Sequence, residues 1–171
     1  PNSYFLGMSN LGHQLVWRVI NDDPNWVCER FYCDFEPLMS MENQQPPSAF
    51  DVLAFSVAFE LDYLNVVDFI VRAGLPLEAE ERGPEYPLVV GAGVCIDVNR
   101  LPIYDFVDLF MNGEGEEMIA VFMRAFEEHG HERRRLLEHL AAQPGFEVTA
   151  GARRRYGMDV PVIEDFMPPR L

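Results

Sequence analysis

The chain has 171 residues, 49% of them hydrophobic, and a formal net charge of −15 at pH 7; it can bury one real core but is too acidic for non-specific nucleic-acid binding. All 13 basic residues are arginine, and seven of them lie after residue 130 beside only six of the 28 acids, so the arginine triplets at 133–135 and 153–155 are basic islands on an acidic protein. No apolar run approaches the ~20 residues of a membrane span, and no basic-then-apolar leader is present.

Three cysteines, Cys28, Cys33 and Cys95, provide no disulfide framework and point to a reducing, cytoplasmic setting. Cys28 and Cys33 are badly spaced for a shared metal. The N-terminal residues 1–10 read as a loop, with Ser9 or Asn10 placed to cap the first helix. Apolar residues at 11, 15, 16, 19 and 20 mark one face of that helix, over 11–20. Asn21-Asp22-Asp23-Pro24 ends it. A loop running into a first helix normally comes after a first strand. No strand precedes Pro1, so that strand is expected either upstream or missing from the sheet.

Partial alternation in residues 26–33 (WVCERFYC) predicts a strand. Residues 34–50 are Pro-rich and read as a long loop with at most a short helical turn at 37–41. The apolar run at 51–56 predicts a short strand of the kind buried on both faces of a parallel sheet. Leu61, Leu64, Val67, Ile70 and Val71 form the stripe of a helix over 61–73, stopped by Gly74. The acidic stretch 75–86 reads as a solvated loop.

Residues 88–119 organise the chain. Two apolar runs, at 88–90 and 107–111, each break at a glycine cluster, Gly91-Ala92-Gly93 and Asn112-Gly113-Glu114-Gly115. A short amphipathic piece lies between them at 101–106. Strand, glycine turn, helix, repeated, is the pattern of a parallel α/β sheet with flanking helices. In such sheets the turns after the strands face a crevice. A helix runs from Glu114 to about residue 128, with Met118, Val121, Phe122 and Phe126 inward. A second covers 132–142 and is stopped by Pro144-Gly145. From residue 146 one short extended piece (146–149) leads into weakly periodic sequence. The organisation predicted is a domain over 1–145 and an extended tail or linker over 146–171.

Catalytic signatures are missing from the sequence. There is no Ser-His-Asp or Cys-His signature and no Lys to complete a phosphate-binding loop. Gly91-Ala92-Gly93 lacks the third glycine and the later acid of a dinucleotide fingerprint. His129, His131 and His139 read as surface residues; His13, near the start of the first helix, reads as a surface or capping residue, with a ligand or proton-donor role the sharper option. Glu114, Glu116 and Glu117 fall in a helix's first turn, where each stabilises the macrodipole by ~0.3–1 kcal/mol. Capping explains the acids but not two glycines flanking Glu114.

Gly91-Ala92-Gly93, Asp108 and Gly113-Glu114-Gly115-Glu116 together resemble the end of the cobalamin-binding-type N-terminal domain of radical S-adenosylmethionine (radical SAM) iron–sulfur enzymes. Gly7-Met8-Ser9-Asn10-Leu11-Gly12, Phe55-Ser56-Val57, Glu60-Leu61 and Tyr63-Leu64-Asn65-Val66 are similar to one uncharacterised branch of that family. The resemblance covers about residues 1–145. It implies an open, parallel, Rossmann-like sheet with its first strand outside this chain, preceding a barrel that holds [4Fe–4S] and S-adenosylmethionine through Cys-x3-Cys-x2-Cys. That triplet does not occur in this sequence, so the chain is expected to be an accessory, non-catalytic piece.

The implied site is the sheet edge at Gly7, Asn10, Ser56, Gly91, Gly93, Gly113, Glu114, Gly115 and Glu116. It would hold cobalamin or cover the barrel's active site. Cobalamin would lack a protein axial histidine, because Leu11 stands where the Asp of Asp-x-His-x-x-Gly belongs before His13. Val94-Cys95-Ile96 would crowd a nucleotide tail. The alternative is a protein–protein docking module that has lost the cofactor. A stand-alone nucleotide-binding domain is disfavoured, since no loop combines Ser/Thr with glycine for phosphate. The expected partners are the barrel of the same protein and a second copy paired through an exposed strand edge, with neither nucleic acid nor membrane.

Overall fold

The computed structural model describes residues 1–160. It is an α/β fold built on a four-stranded sheet, β1 (Val52–Ser56), β2 (Leu88–Ala92), β3 (Leu109–Met111) and β4 (Phe146–Val148), in the order β1-β2-β3-β4. The first three strands are parallel, and β4 runs antiparallel to β3. Among the described residues seven α-helices surround it: α1 (Tyr4–Ser9), α2 (Leu11–Asn21), α3 (Asp62–Arg72), α4 (Val94–Asn99), α5 (Gly115–His129), α6 (Arg133–Ala141) and α7 (Ala150–Tyr156).

Alternation along each strand sorts the core into two layers. Leu53, Phe55, Val89 and Phe110 pack with Val66, Phe69 and Ile70 of α3 and with Ile96 and Ile103. On the opposite face Leu88, Val90, Leu109 and Met111 pack with Ile119, Phe122 and Met123 of α5 and with Leu136, Leu137 and Leu140 of α6. Helices on both faces explain why the central strands are apolar throughout rather than alternating. Helix α3 ends as the sequence predicts: Gly74 sits at φ +71° and Leu75 N–H donates to Ile70 O at 3.2 Å, a left-handed cap. Asn10 caps α2 by accepting from His13 N–H at 3.0 Å. Among the described residues no helix is long and apolar enough to cross a membrane.

Several expectations change. Residues 4–9 form a short helix rather than a loop. Residues 26–32 carry no regular secondary structure, Cys33 lies in a turn, and none of them belongs to the sheet. The short helical turn of the Pro-rich loop lies at Pro47–Ala49, not at 37–41. The predicted tail is in part fold: residues 146–156 supply β4 and α7, and only 161–171 lie outside the described residues. Apolar Phe146 and Val148 close the second layer, and Thr149 caps α7 by accepting from Ala152 N–H at 3.4 Å.

The acidic stretch 75–86 also departs from a solvated loop. It carries Arg82, which is 1% exposed and paired with Asp108 at 3.1 Å. All five guanidinium N–H donors find acceptors. Nε and Nη2 donate to the two Asp108 carboxylate oxygens, Nη1 to Pro76 O and Leu77 O, and Nη2 also to Phe106 O. Asp108 takes a further bond from Val89 N–H at 2.7 Å. Removing one partner of a buried pair strands the other charge. We therefore expect Arg82→Met to lower the unfolding free energy by about 3–5 kcal/mol in urea denaturation. Arg82→Lys should recover little, because an ammonium cannot present a planar five-donor fork. A loss within about 1 kcal/mol for Arg82→Met, the value of an exposed pair, would make the network dispensable.

Candidate functional site

The parallel strands end side by side at Ser56, Ala92 and Met111, in register. Three turns leave this edge: residues 57–61 toward α3, Gly93 into α4, and residues 112–114 into α5. Ser56 is exposed at the end of β1. Gly91 and Gly93 lie at the end of β2, and Gly113, Glu114, Gly115 and Glu116 come directly after β3. The structure thus gathers seven of the nine expected site residues along one edge. Gly7 and Asn10 are engaged in the N-terminal segment instead, Gly7 against the Tyr32 ring and Asn10 as the α2 cap.

What the glycines do there differs from the expectation of open space for a ligand. A Cβ on Gly91 would lie 2.9 Å from the Phe110 ring. One on Gly93 would lie 2.7 Å from Val57 O, and Gly93 has φ +111° and ψ 167°, a region essentially closed to other residues. Both absences of a side chain are filled by the chain's own atoms. Gly113 has φ +123°, so the turn after β3 itself requires it. That turn is pinned to β4 by Asn112 N–H, which donates to Gly145 O at 2.7 Å. Gly115 is the exception: it opens α5 with a normal φ and nothing within 4 Å of a built Cβ. Glu114 takes the N-cap position without a side-chain capping bond, and Glu116 and Glu117 occupy the first turn. All three acids are exposed.

The turns and helices that lead away from this edge carry large exposed apolar side chains, and sequence reasoning passed over most of them. Phe59, Leu61, Leu64, Val94, Val98 and Leu101 are each between 61% and 80% exposed. Leu61 and Leu64 stand on one face of the α3 N-terminus, and Val94 and Val98 on one face of α4, by their i,i+3 and i,i+4 spacing. The two groups are neighbours, because the Tyr63 hydroxyl lies 2.9 Å from Cys95 O and 2.5 Å from Asn99 O. Buried Asp62 fixes the β1–α3 turn by accepting from Phe59 N–H at 3.2 Å. Glu60 and Asp97 are exposed on the same turn and helix, and Glu114, Glu116 and Glu117 are exposed at the turn after β3. The available signal was Phe59 and Leu61 bracketing a strand-to-helix turn where polar residues are usual, and Leu61 and Leu64 were instead assigned to the inward stripe of α3.

His13 is half-buried, with no partner at Nε2 among the described residues. Burial, the N-terminal amine and Arg30 hold its imidazole below the ordinary histidine range. Cys28, Cys33 and Cys95 are free thiols. Among the described residues no group of three His, Cys, Asp or Glu side chains can hold a metal ion. The concavity lined by Phe35, Pro37, Met39 and Gln44 shares no residue with the strand edge.

In comparisons with known proteins, a family model described as "Radical SAM proteins, N-terminal" matches residues 12–148. No curated protein and no solved structure matches. The glycine geometry carries its own test. Gly93→Ala is expected to lower stability by about 1–3 kcal/mol, whereas Gly115→Ala should raise it by about 0.4–1 kcal/mol. Denaturant melts of the two variants check this, and equal effects would mean that the two glycines share one role.

Proposed function

The chain belongs to the family of N-terminal regions of radical SAM proteins, and from that premise we propose that it is an accessory domain that docks onto the catalytic domain of such a protein through the carboxyl edge of its sheet. The observation that carries this reading is the apolar patch of Phe59, Leu61, Leu64, Val94, Val98 and Leu101 at the strand ends. Contiguous exposed apolar side chains with a charged fringe are the signature of an interaction surface. The acidic fringe asks for a partner whose matching rim carries Arg or Lys.

A corrinoid is not part of this reading. The space beside Gly91 and Gly93 is taken by Phe110 and Val57. The acids around the turn after β3 oppose the phosphate of a nucleotide tail. The same edge offers backbone and apolar contact, which suits a protein face. Gly115, with nothing within 4 Å of a built Cβ, leaves room there for a partner's backbone to approach. No residue of this chain is assigned a chemical step. Its role is to cover and exclude water from a site whose reactive groups lie in the catalytic domain.

The test is sedimentation of this chain with a cluster-reconstituted radical SAM catalytic domain of the same protein. We expect complex formation, weakened by about tenfold or more when Leu61→Glu and Val98→Glu are combined, with far-UV circular dichroism and thermal unfolding unchanged. Undiminished binding by the double variant would remove the patch from the interface. Retention of stoichiometric hydroxocobalamin through desalting would replace this reading with a cofactor site.

A further inference from the structure

At the far end of α5 from that edge, two histidines meet. Helix α5 starts just after β3, and its 15 residues carry His129, the last of them, about 22 Å along the axis. The chain turns at Gly130, where a built Cβ would lie 2.5 Å from Phe126 O, so the turn is pressed onto α5. Helix α6 then packs Leu136, Leu137 and Leu140 into the same apolar layer as Phe122 and Met123 of α5. His129 follows partly buried Phe126 by three residues, and His139 follows buried Leu136 by three, so each imidazole borders the stripe by which its helix packs. The sequence reads His129, His131 and His139 as surface residues. Only His131, in the connecting turn, is exposed; His129 and His139 are half-buried.

The ring centroids of His129 and His139 are 4.9 Å apart, and the ring planes are inclined at 47°. That is neither offset stacking nor edge-to-face contact, the arrangements aromatic pairs prefer. It is the spacing of two imidazoles that share one ion: with metal–nitrogen bonds of about 2.0–2.1 Å and a tetrahedral angle, the two ring centroids stand about 5 Å apart. Among the described residues no ring nitrogen of either histidine makes a hydrogen bond, and the Glu128 carboxylate lies 3.7 Å from His129 Nε2. Glu132 and Glu138, the other acids of this segment, are paired with Arg135 and Arg134. Both histidines occupy the last turn of their helices, where the macrodipole favours positive charge.

We propose that His129 and His139 form a two-imidazole site for a divalent transition-metal ion of the zinc class, bridging α5 and α6. Imidazole nitrogen suits Zn²⁺, whereas Mg²⁺ and Ca²⁺ ask for oxygen ligands. Among the described residues no third His, Cys, Asp or Glu completes the set, so water holds the remaining positions. Glu128 stays outside the set, where its charge offsets part of the ion's. The ion ties the end of α5 to the last turn of α6 and so holds together the helix pair that covers one face of the sheet. Because it binds the folded chain, it stabilises that chain by mass action. The site shares no residue with the apolar docking patch, so either can fail without the other.

The experiment is calorimetric titration of the chelator-treated chain with Zn²⁺. Mg²⁺ is the control for general attraction of cations to a net charge of −15. We expect a thermal midpoint that rises with Zn²⁺ and not with Mg²⁺. In imidazole NMR spectra the Zn²⁺-induced shifts should be confined to His129 and His139, with His13 and His131 unmoved. His129→Gln and His139→Gln should each weaken Zn²⁺ binding by about tenfold or more, since loss of an outer-shell partner alone costs that much, and His131→Gln should leave it unchanged. Far-UV circular dichroism without metal checks that each variant is folded. Undiminished binding by the His129 and His139 variants overturns the site. An equal loss in His131→Gln moves binding to the turn and overturns the pair, and equal stabilisation by Mg²⁺ reduces it to adventitious attraction. The spectra of the unaltered chain decide the matter even where a variant does not fold: no shift at His129 and His139 in saturating Zn²⁺ refutes the assignment.

Discussion

The buried Arg82–Asp108 pair ties together parts of the fold that would otherwise have no reason to meet. Asp108 immediately precedes β3, and its carboxylate accepts Val89 N–H from β2. Its own carbonyl accepts Thr149 N–H, the residue joining β4 to α7. Arg82 gathers the carbonyls of 76, 77 and 106, and its own carbonyl accepts the Tyr156 hydroxyl of α7. One ion pair therefore fixes the loop before β2, the start of β3 and α7. Such a pair adds little net stability over an apolar substitute. What it supplies is register: the planar guanidinium fits only where three carbonyls and a carboxylate converge.

That fixed register sets the shape of the carboxyl edge. Because β2 and β3 cannot slide, Phe110 must lie over position 91, and only glycine leaves room for its ring. Because the β1–α3 turn is held by Asp62, the Val57 backbone comes against position 93, again open only to glycine. The glycine clusters that look like ligand-binding turns are thus consequences of strands packed closely together. The apolar side chains left outside the packing, not the glycines, distinguish this edge from an ordinary loop surface.

How much of this was legible depends on the range of the interaction concerned. Local signals were reliable: Gly74 ends α3, Asn10 caps α2, and the apolar runs at β1, β2 and β3 are strands because their chemistry suits burial on two faces. Signals that need a distant partner were not. Nothing near Arg82 in the acidic run 75–86 announces that Asp108 will bury it. The extended piece at 146–149 is legible, but Phe146 and Val148 are too few to show that it joins the sheet as β4, and the arginines of α7 hide its short buried stripe, Gly151 and Ala152. Leu61 and Leu64 satisfied a helical stripe on paper, while α3 turns Tyr63, Val66, Phe69 and Ile70 inward. A helical period locates a stripe but not which of two adjacent stripes meets the sheet.

Residues 26–33 are the instructive failure, because the strand they predict joins no sheet among the described residues. Their alternation is that of a strand, and their side chains do point alternately to two apolar layers. A strand, however, is defined by its neighbour, since its backbone groups need a ladder on at least one side. The outer groups of Cys28 and Arg30 have borrowed side chains for that purpose, Asn21 and Glu42. The inner groups of Val27, Glu29 and Phe31 have not, among the described residues.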